Sequence, residues 1–266
     1  MTHTISTQYG RIATQQAGPA GGVPLVLLQR FRGTMDDWDP NFIEAISADR
    51  RVYLFDSAGI GKSEGKVPDT IEGMASVAAS VIDGLGLGQV DVLGWSLGGV
   101  VAQQLALDAP HLVRRLIVAG SSPGGLIDGP KPHPRVPQVM TRGVNDVDDF
   151  LFLFYPETET AVAAGRESLT RIAGQPERGP NVTAEAFMAQ VKAISSWQGV
   201  LHRAAELRLP MLVANGMHDV MLPAYRSYVL AQQAPDAKLL LYPDAGHAFL
   251  FQEIFDFSAQ MNLFLS

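Results

Sequence analysis

The chain has 266 residues, 47% of them hydrophobic, enough for one large α/β domain or two small ones with a buried core and no covalent staples. It contains no cysteine, which excludes disulfides, thiolate metal sites and a cysteine nucleophile. With 20 basic against 27 acidic residues the net charge is −7, and no basic block offers a face to nucleic acid or an anionic membrane.

Met1–Thr7 lacks the cationic and apolar regions of a signal peptide, and no apolar run approaches the roughly 20 residues that span a bilayer. A cytoplasmic protein without a membrane partner is expected, its oligomeric state left open. Thr4–Gln8 and Arg11–Gln15 flank Tyr9-Gly10 as a small hairpin. Short apolar runs then follow at Pro24–Gln29, Arg51–Phe55, Val90–Leu93, Arg115–Ala119, Met211–Ala214 and Lys238–Tyr242, with the unbroken character of strands buried on both faces. Helical patterns lie between and after them: Asp39–Ala48, Thr70–Leu85, Leu97–Ala109, Ala224–Ala234 and Ala248–Leu265. The alternation predicts a mostly parallel sheet covered on both faces.

The alternation stops between about Ser122 and Ala205. Prolines at 123, 130, 132, 134 and 137 lead into helical pieces at Asp146–Phe154, Glu159–Ala173 and Thr183–Ser195. We read residues 1–121 and 206–266 as the core and 122–205 as an inserted helical cap. The aromatic run Asp149–Tyr155 is expected either to roof a pocket or to pack the cap onto the core. Phe152 and Trp197 are taken as candidate pocket residues, and Trp38 as a weaker one.

The chemistry centres on Gly94-Trp95-Ser96-Leu97-Gly98, a G-x-S-x-G between a strand and a helix. Glycines two residues either side of a serine fit a turn too sharp for larger side chains. Such a turn lifts the hydroxyl clear of the backbone beside a helix N-terminus. A serine hydroxyl needs a base, and the base an orienting carboxylate. On this layout they come in the order Ser, Asp or Glu, His, each after a strand. Asp219 follows Met211–Ala214, and His247 follows Lys238–Tyr242. Asp219 is preferred to Asp244, which shares the histidine's own loop and would struggle to reach its far nitrogen. The oxyanion donors are expected to be the Leu97 amide, next to the nucleophile, and the Phe31 amide in the loop after Pro24–Leu28.

These motifs make the chain resemble the α/β-hydrolase superfamily from end to end. Gly94–Gly99 with Ser121-Ser122-Pro123 is similar to the carboxylesterases that demethylate pimeloyl-carrier-protein esters, and the layout resembles 3-oxoadipate enol-lactonases and cofactor-free haloperoxidases. Asp56–Ser63 matches the family's Asp-x-x-Gly-x-Gly-x-Ser turn, normally structural. The resemblance implies an α/β-hydrolase fold: a mostly parallel twisted sheet, helices on both faces and an inserted cap. One departure stands out. Gln29-Arg30 occupies the place where the family has His-Gly before the oxyanion donor. Arg30 and Arg32 could therefore meet an anionic acyl substrate, or snorkel outward and pair with Asp36, Asp37 or Asp39. Trp95, inside the elbow, is a further candidate for substrate contact.

Two other patterns fail. Gly61-Lys62-Ser63 would place a carboxylate, Asp56, at a phosphate loop's first glycine. The glycines of Gly84–Gly88 precede their strand and lack the third glycine of a dinucleotide fingerprint. No His or carboxylate cluster has metal-ligand spacing. The expectation is a serine hydrolase for a small ester or lactone, needing neither cofactor nor metal. The same triad would also serve C–C hydrolysis, perhydrolysis or acyl transfer, and a weakly catalytic small-ligand receptor is the rival from another class.

Overall fold

The computed structural model describes all residues 1–266. The hairpin forms as β1 (His3–Thr7) and β2 (Gly10–Ala17), joined across Thr7–Gly10. The remaining elements, in chain order, are β3 (Leu25–Leu28), α1 (Pro40–Ser47), β4 (Val52–Phe55), α2 (Ile71–Gly84), β5 (Val90–Trp95), α3 (Leu97–Asp108) and β6 (Val113–Ala119). Four helices come before the next strand: α4 (Val136–Met140), α5 (Val147–Phe154), α6 (Glu159–Ala173) and α7 (Ala184–Ser196). The chain closes with β7 (Met211–Gly216), α8 (Tyr225–Gln233), β8 (Ala237–Tyr242), α9 (Phe249–Gln252) and α10 (Ile254–Leu265).

The eight strands form one sheet in the order β1-β2-β4-β3-β5-β6-β7-β8, antiparallel at the hairpin end and parallel from β4 onward. Side chains alternate across it and divide the interior in two. Val26 and Val92 join a core with α2 and α3, whereas Leu25, Leu27 and Trp95 join one with α1, α9 and α10. All six residues of β5 are buried, as a central strand covered on both faces requires.

Local chemistry explains the helix starts. Asp39, Thr70, Asp146, Thr158 and Thr183 each accept an amide hydrogen bond at a first turn. One boundary differs from the sequence pattern. The expected single helix Ala248–Leu265 breaks at Glu253 (φ −108°, ψ 41°) into α9 and α10. The three consecutive bulky residues Phe249, Leu250 and Phe251 are all buried. The break lets Phe251 meet Trp95 while Phe249 stacks on Tyr242.

The segment between β6 and β7 leaves and returns at one point. The Val200 amide donates to the Pro123 carbonyl at 2.7 Å, and a Cβ on Gly124 would lie 2.6 Å from Gly199 Cα. Parallel register aligns Leu28 with Gly94, Trp95 with Ala119, Ala119 with Ala214 and Gly216 with Tyr242. The loops leaving those strands therefore gather at one end of the sheet, where open α/β sheets bind ligands. No helix is long and apolar enough to cross a membrane.

Candidate active site

Ser96 sits between β5 and α3 with φ +57° and ψ −118°, a conformation rarely tolerated outside glycine. Its neighbours leave no alternative path. A Cβ on Gly94 would stand 2.2 Å from the Gly98 carbonyl oxygen, and one on Gly98 2.0 Å from the Leu28 oxygen. One on Gly99 would press to 2.6 Å from Ser121 Cβ. All three glycines are thus demanded by close packing of strand, turn and helix. The Ser121 hydroxyl also donates to the Ser96 carbonyl at 2.7 Å, which ties the turn to the end of β6.

His247 is buried, and its Nδ1 lies 2.7 Å from Asp219 Oδ2. The other carboxylate oxygen accepts the amides of Met221 and Leu222, each at 2.8 Å, so Asp219 is fixed by its own loop. Asp244 faces away and is bound by the Thr158 and Thr160 hydroxyls. The Trp95 indole donates to the His247 carbonyl at 2.9 Å, and its ring lies 5.8 Å from the imidazole. Nε2 of His247 is buried and bonds to no protein atom, the Ser96 hydroxyl included.

The loop after β3 lies against the start of α3, where Leu97 and Gly98 share a small cavity with Gln29 and Arg30. Leu97 is the first residue of α3, so its amide has no partner within the helix. The Phe31 amide, in the facing turn, donates to no backbone or side-chain acceptor. Gln29 pins the loop: its amide nitrogen donates to the Thr34 carbonyl and its oxygen accepts the Arg30 amide. Asp56 supports the loop from behind by accepting the Met35 and Lys62 amides, both at 2.7 Å.

The two arginines behave differently. Arg32, at φ +57°, spends its guanidinium on the inserted segment, donating to the carbonyls of Met140, Arg142 and Gly143 and to Asn145 Oδ1. It pairs with none of the aspartates expected for it. Arg30 is largely but not fully buried, its side chain 11% exposed, with its guanidinium carbon 5.7 Å from the Trp95 ring, 5.7 Å from Phe150 and 5.3 Å from Phe154. One hydrogen bond goes to the Phe31 carbonyl, at 2.9 Å, and Asp37 stands 3.7 Å from Nη2. Burial pushes the Arg30 guanidinium below its usual value, against the pull of Asp37.

Ser96, His247, Trp95, Phe31 and Arg30 line a cavity of about 590 Å³ between the sheet end and the inserted segment. Phe150, Leu153, Phe154 and Tyr155 form part of its wall. Two expected pocket residues lie elsewhere. Phe152 points off the opposite side of α5, since residues two apart on a helix are about 200° apart, and it packs under Arg135 and against His133. Trp197 sits beside Gly124 at the root of the segment, with its indole 3.4 Å from Gln104 Oε1. Trp38 is buried among Phe42, Trp95 and Phe251, behind the cavity wall. Arg178, which no sequence pattern marks, also lines the cavity, its guanidinium held by Asp37, 141 residues earlier, and by the Asp36 and Ile172 carbonyls. No three His, Asp or Glu side chains converge as metal ligands.

With this fold and geometry in place, comparison with known proteins is direct. Residues 23–254 match the model of the alpha/beta hydrolase fold family, and the chain belongs to that family. The structure of an alpha/beta hydrolase fold protein from Chitinophaga pinensis superposes with a TM-score of 0.90 at 33% identity, covering 100% of this chain and 97% of that one. A putative carbamate hydrolase, RutD, of Azorhizobium caulinodans is 29% identical over 86% of this chain and 85% of its own length. A pimeloyl-[acyl-carrier protein] methyl ester esterase of Nitrosomonas europaea is 28% identical over 85% and 89%.

Proposed function

We propose that the protein is a serine hydrolase that cleaves a small ester or lactone through an acyl-enzyme. The observation that carries the reading is the 2.7 Å contact between Asp219 and His247 Nδ1, which leaves Nε2 free beside a cavity shared with Ser96. Carboxylate on one nitrogen and no partner on the other is the arrangement of a base held in one tautomer. Relatives named as esterase and carbamate hydrolase support carbonyl chemistry of this kind.

In this mechanism Ser96 Oγ attacks the substrate carbonyl while its proton passes to His247 Nε2. Asp219 holds the imidazole and stabilises its charged form. The Leu97 and Phe31 amides receive the oxyanion. Collapse expels the alcohol, or opens the lactone ring, with the proton returned from His247. Water then attacks the acyl-enzyme, His247 takes its proton, and Ser96 Oγ leaves with that proton as the acid is released. Substrate closes the Ser96–His247 contact, as apo catalytic hydrogen bonds often tighten only in the complex. The segment over the sheet end acts as a cap, and its aromatic wall favours apolar or ring-bearing esters over very short ones.

A fluorophosphonate probe tests the reading. Labelling of the wild type but not of Ser96→Ala is expected, together with turnover on a panel of esters, lactones, carbamates and β-diketones. A folded wild type that takes no label would overturn it, and turnover confined to the β-diketones would move the reaction to C–C bonds.

A further inference from the structure

Burying an arginine is expensive unless its charge and its donors are matched. Arg30 meets both conditions only in part within the protein. Of its five N–H groups, one on Nη1 donates to the Phe31 carbonyl, Nε is buried with no partner, and Nη2 has only Asp37 at 3.7 Å, beyond hydrogen-bond reach. Asp37 is itself committed elsewhere, accepting Arg178 at 2.7 Å and the Thr34 amide at 2.8 Å. Burial pushes the Asp37 carboxyl up, but Arg30, the Thr34 amide and Arg178 outweigh it and hold it below the usual carboxylate value. One carboxylate therefore serves two guanidinium groups.

The cavity as a whole repeats that imbalance. Its charged lining consists of Arg30, Arg32 and Arg178 against Asp37 and Asp146. Asp146 is occupied as the cap of α5, and Arg32 is saturated by the carbonyls of the inserted segment. A surplus positive charge inside a protein of net charge −7 is a local feature of this cleft, walled by Trp95, Phe150 and Phe154. Low-dielectric walls concentrate such a field on whatever enters. The Nε–Nη2 edge, the pair of donors that a carboxylate engages side-on, is the edge left unspent.

We propose that Arg30 is the anchor for an anionic group on the substrate, a carboxylate on the acyl part, so that the esters or lactones cleaved are those of dicarboxylic or otherwise anionic acids. The proposal rests on the hydrolase reading of the same cavity and deepens it. Arg30 acts as the specificity residue: its charge stands in the loop that also carries the Phe31 amide.

Matched substrates test it. The mono-p-nitrophenyl esters of succinate, glutarate and adipate are compared with the same compounds methylated at the free carboxylate. The wild type is expected to favour at least one anionic member by about tenfold or more in kcat/KM, the range of a charge-assisted hydrogen bond. Arg30→Gln should collapse that ratio toward one, and Arg30→Lys should keep part of it. A wild-type preference for every neutral member overturns the proposal, as does a ratio unchanged in a folded Arg30→Gln. The wild-type ratio decides the matter alone if that variant does not fold. Direct titration of Ser96→Ala with glutarate separates the two readings. Glutarate bound by Ser96→Ala and not by the Ser96→Ala, Arg30→Gln double variant supports the anchor even if no ester is turned over.

Discussion

Asp219 Oδ2 lies 2.7 Å from Nδ1 of His247 although the two residues are 28 apart in sequence, while Asp244, on the histidine's own loop, turns to two threonine hydroxyls. Asp219→Asn keeps an oxygen for the Met221 and Leu222 amides, so the loop should hold. An amide facing Nδ1 would, however, force the proton onto Nε2. On the proposed mechanism kcat falls by about 10⁴-fold with little change in Tm. Asp244→Asn should leave kcat as it is. Ester hydrolysis by the two variants checks this, and equal losses would remove Asp219 from its role.

The elbow glycines make a stability prediction. Gly98→Ala puts a methyl 2.0 Å from the Leu28 oxygen, a backbone atom that cannot move aside. Gly143→Ala meets nothing within 4 Å. The first should lose both soluble yield and activity; the second should melt within a degree or two of wild type. Thermal denaturation of both decides it.

Arg32 holds the segment 140–145 through four acceptors despite a backbone conformation that costs on the order of 1 kcal/mol or more. Arg32→Met should loosen that segment. Limited trypsin digestion is expected to cut faster at Arg142, with KM for esters raised more than kcat is lowered. Unchanged cleavage would show that the clamp is dispensable.

Asp56 carries a pH signature. Burial pushes its carboxyl from 3.8 up to about 6, opposed by the Lys62 and Met35 amides. Because the folded value is the higher one, the folded chain holds the proton more tightly. The contribution is complete below about pH 4 and is lost as pH rises through 6. Between pH 5 and 8 the wild type should lose roughly 1 kcal/mol relative to Asp56→Asn. Denaturant titrations at both pH values measure the difference, and parallel curves would contradict it.

Within the aromatic run of α5, Phe150→Ala should alter the preference among ester chain lengths, whereas Phe152→Ala should not. Phe150 faces the cavity and Phe152 the Arg135 side chain. A kinetic panel on the two variants separates the faces.

Much of this molecule was legible from the chain. Hydrophobic runs located the inner strands, because burial on both faces leaves an unbroken apolar signal, and Tyr9-Gly10 marked the turn of the more exposed hairpin. The elbow was legible for a similar reason: only glycine fits where a Cβ would come about 2 Å from a neighbouring carbonyl oxygen, and sequence records that demand directly. Chain order after successive strands also placed Asp219 and His247 in neighbouring loops, since parallel strands deliver their C-terminal ends to one side. What sequence could not supply was direction and partnership. It could not say that Phe150 and Phe152 diverge around α5, that Trp197 stays at the root of the inserted segment, or that α9 and α10 part at Glu253. Nor could it distinguish Arg30 from Arg32, two residues apart with the same chemistry. Their fates depend on which oxygens the segment 140–145 and Asp37 bring within reach, contacts made across more than a hundred residues in the case of Arg32. Local rules determine what a residue is able to do; only the closed fold decides which of its donors are already spent.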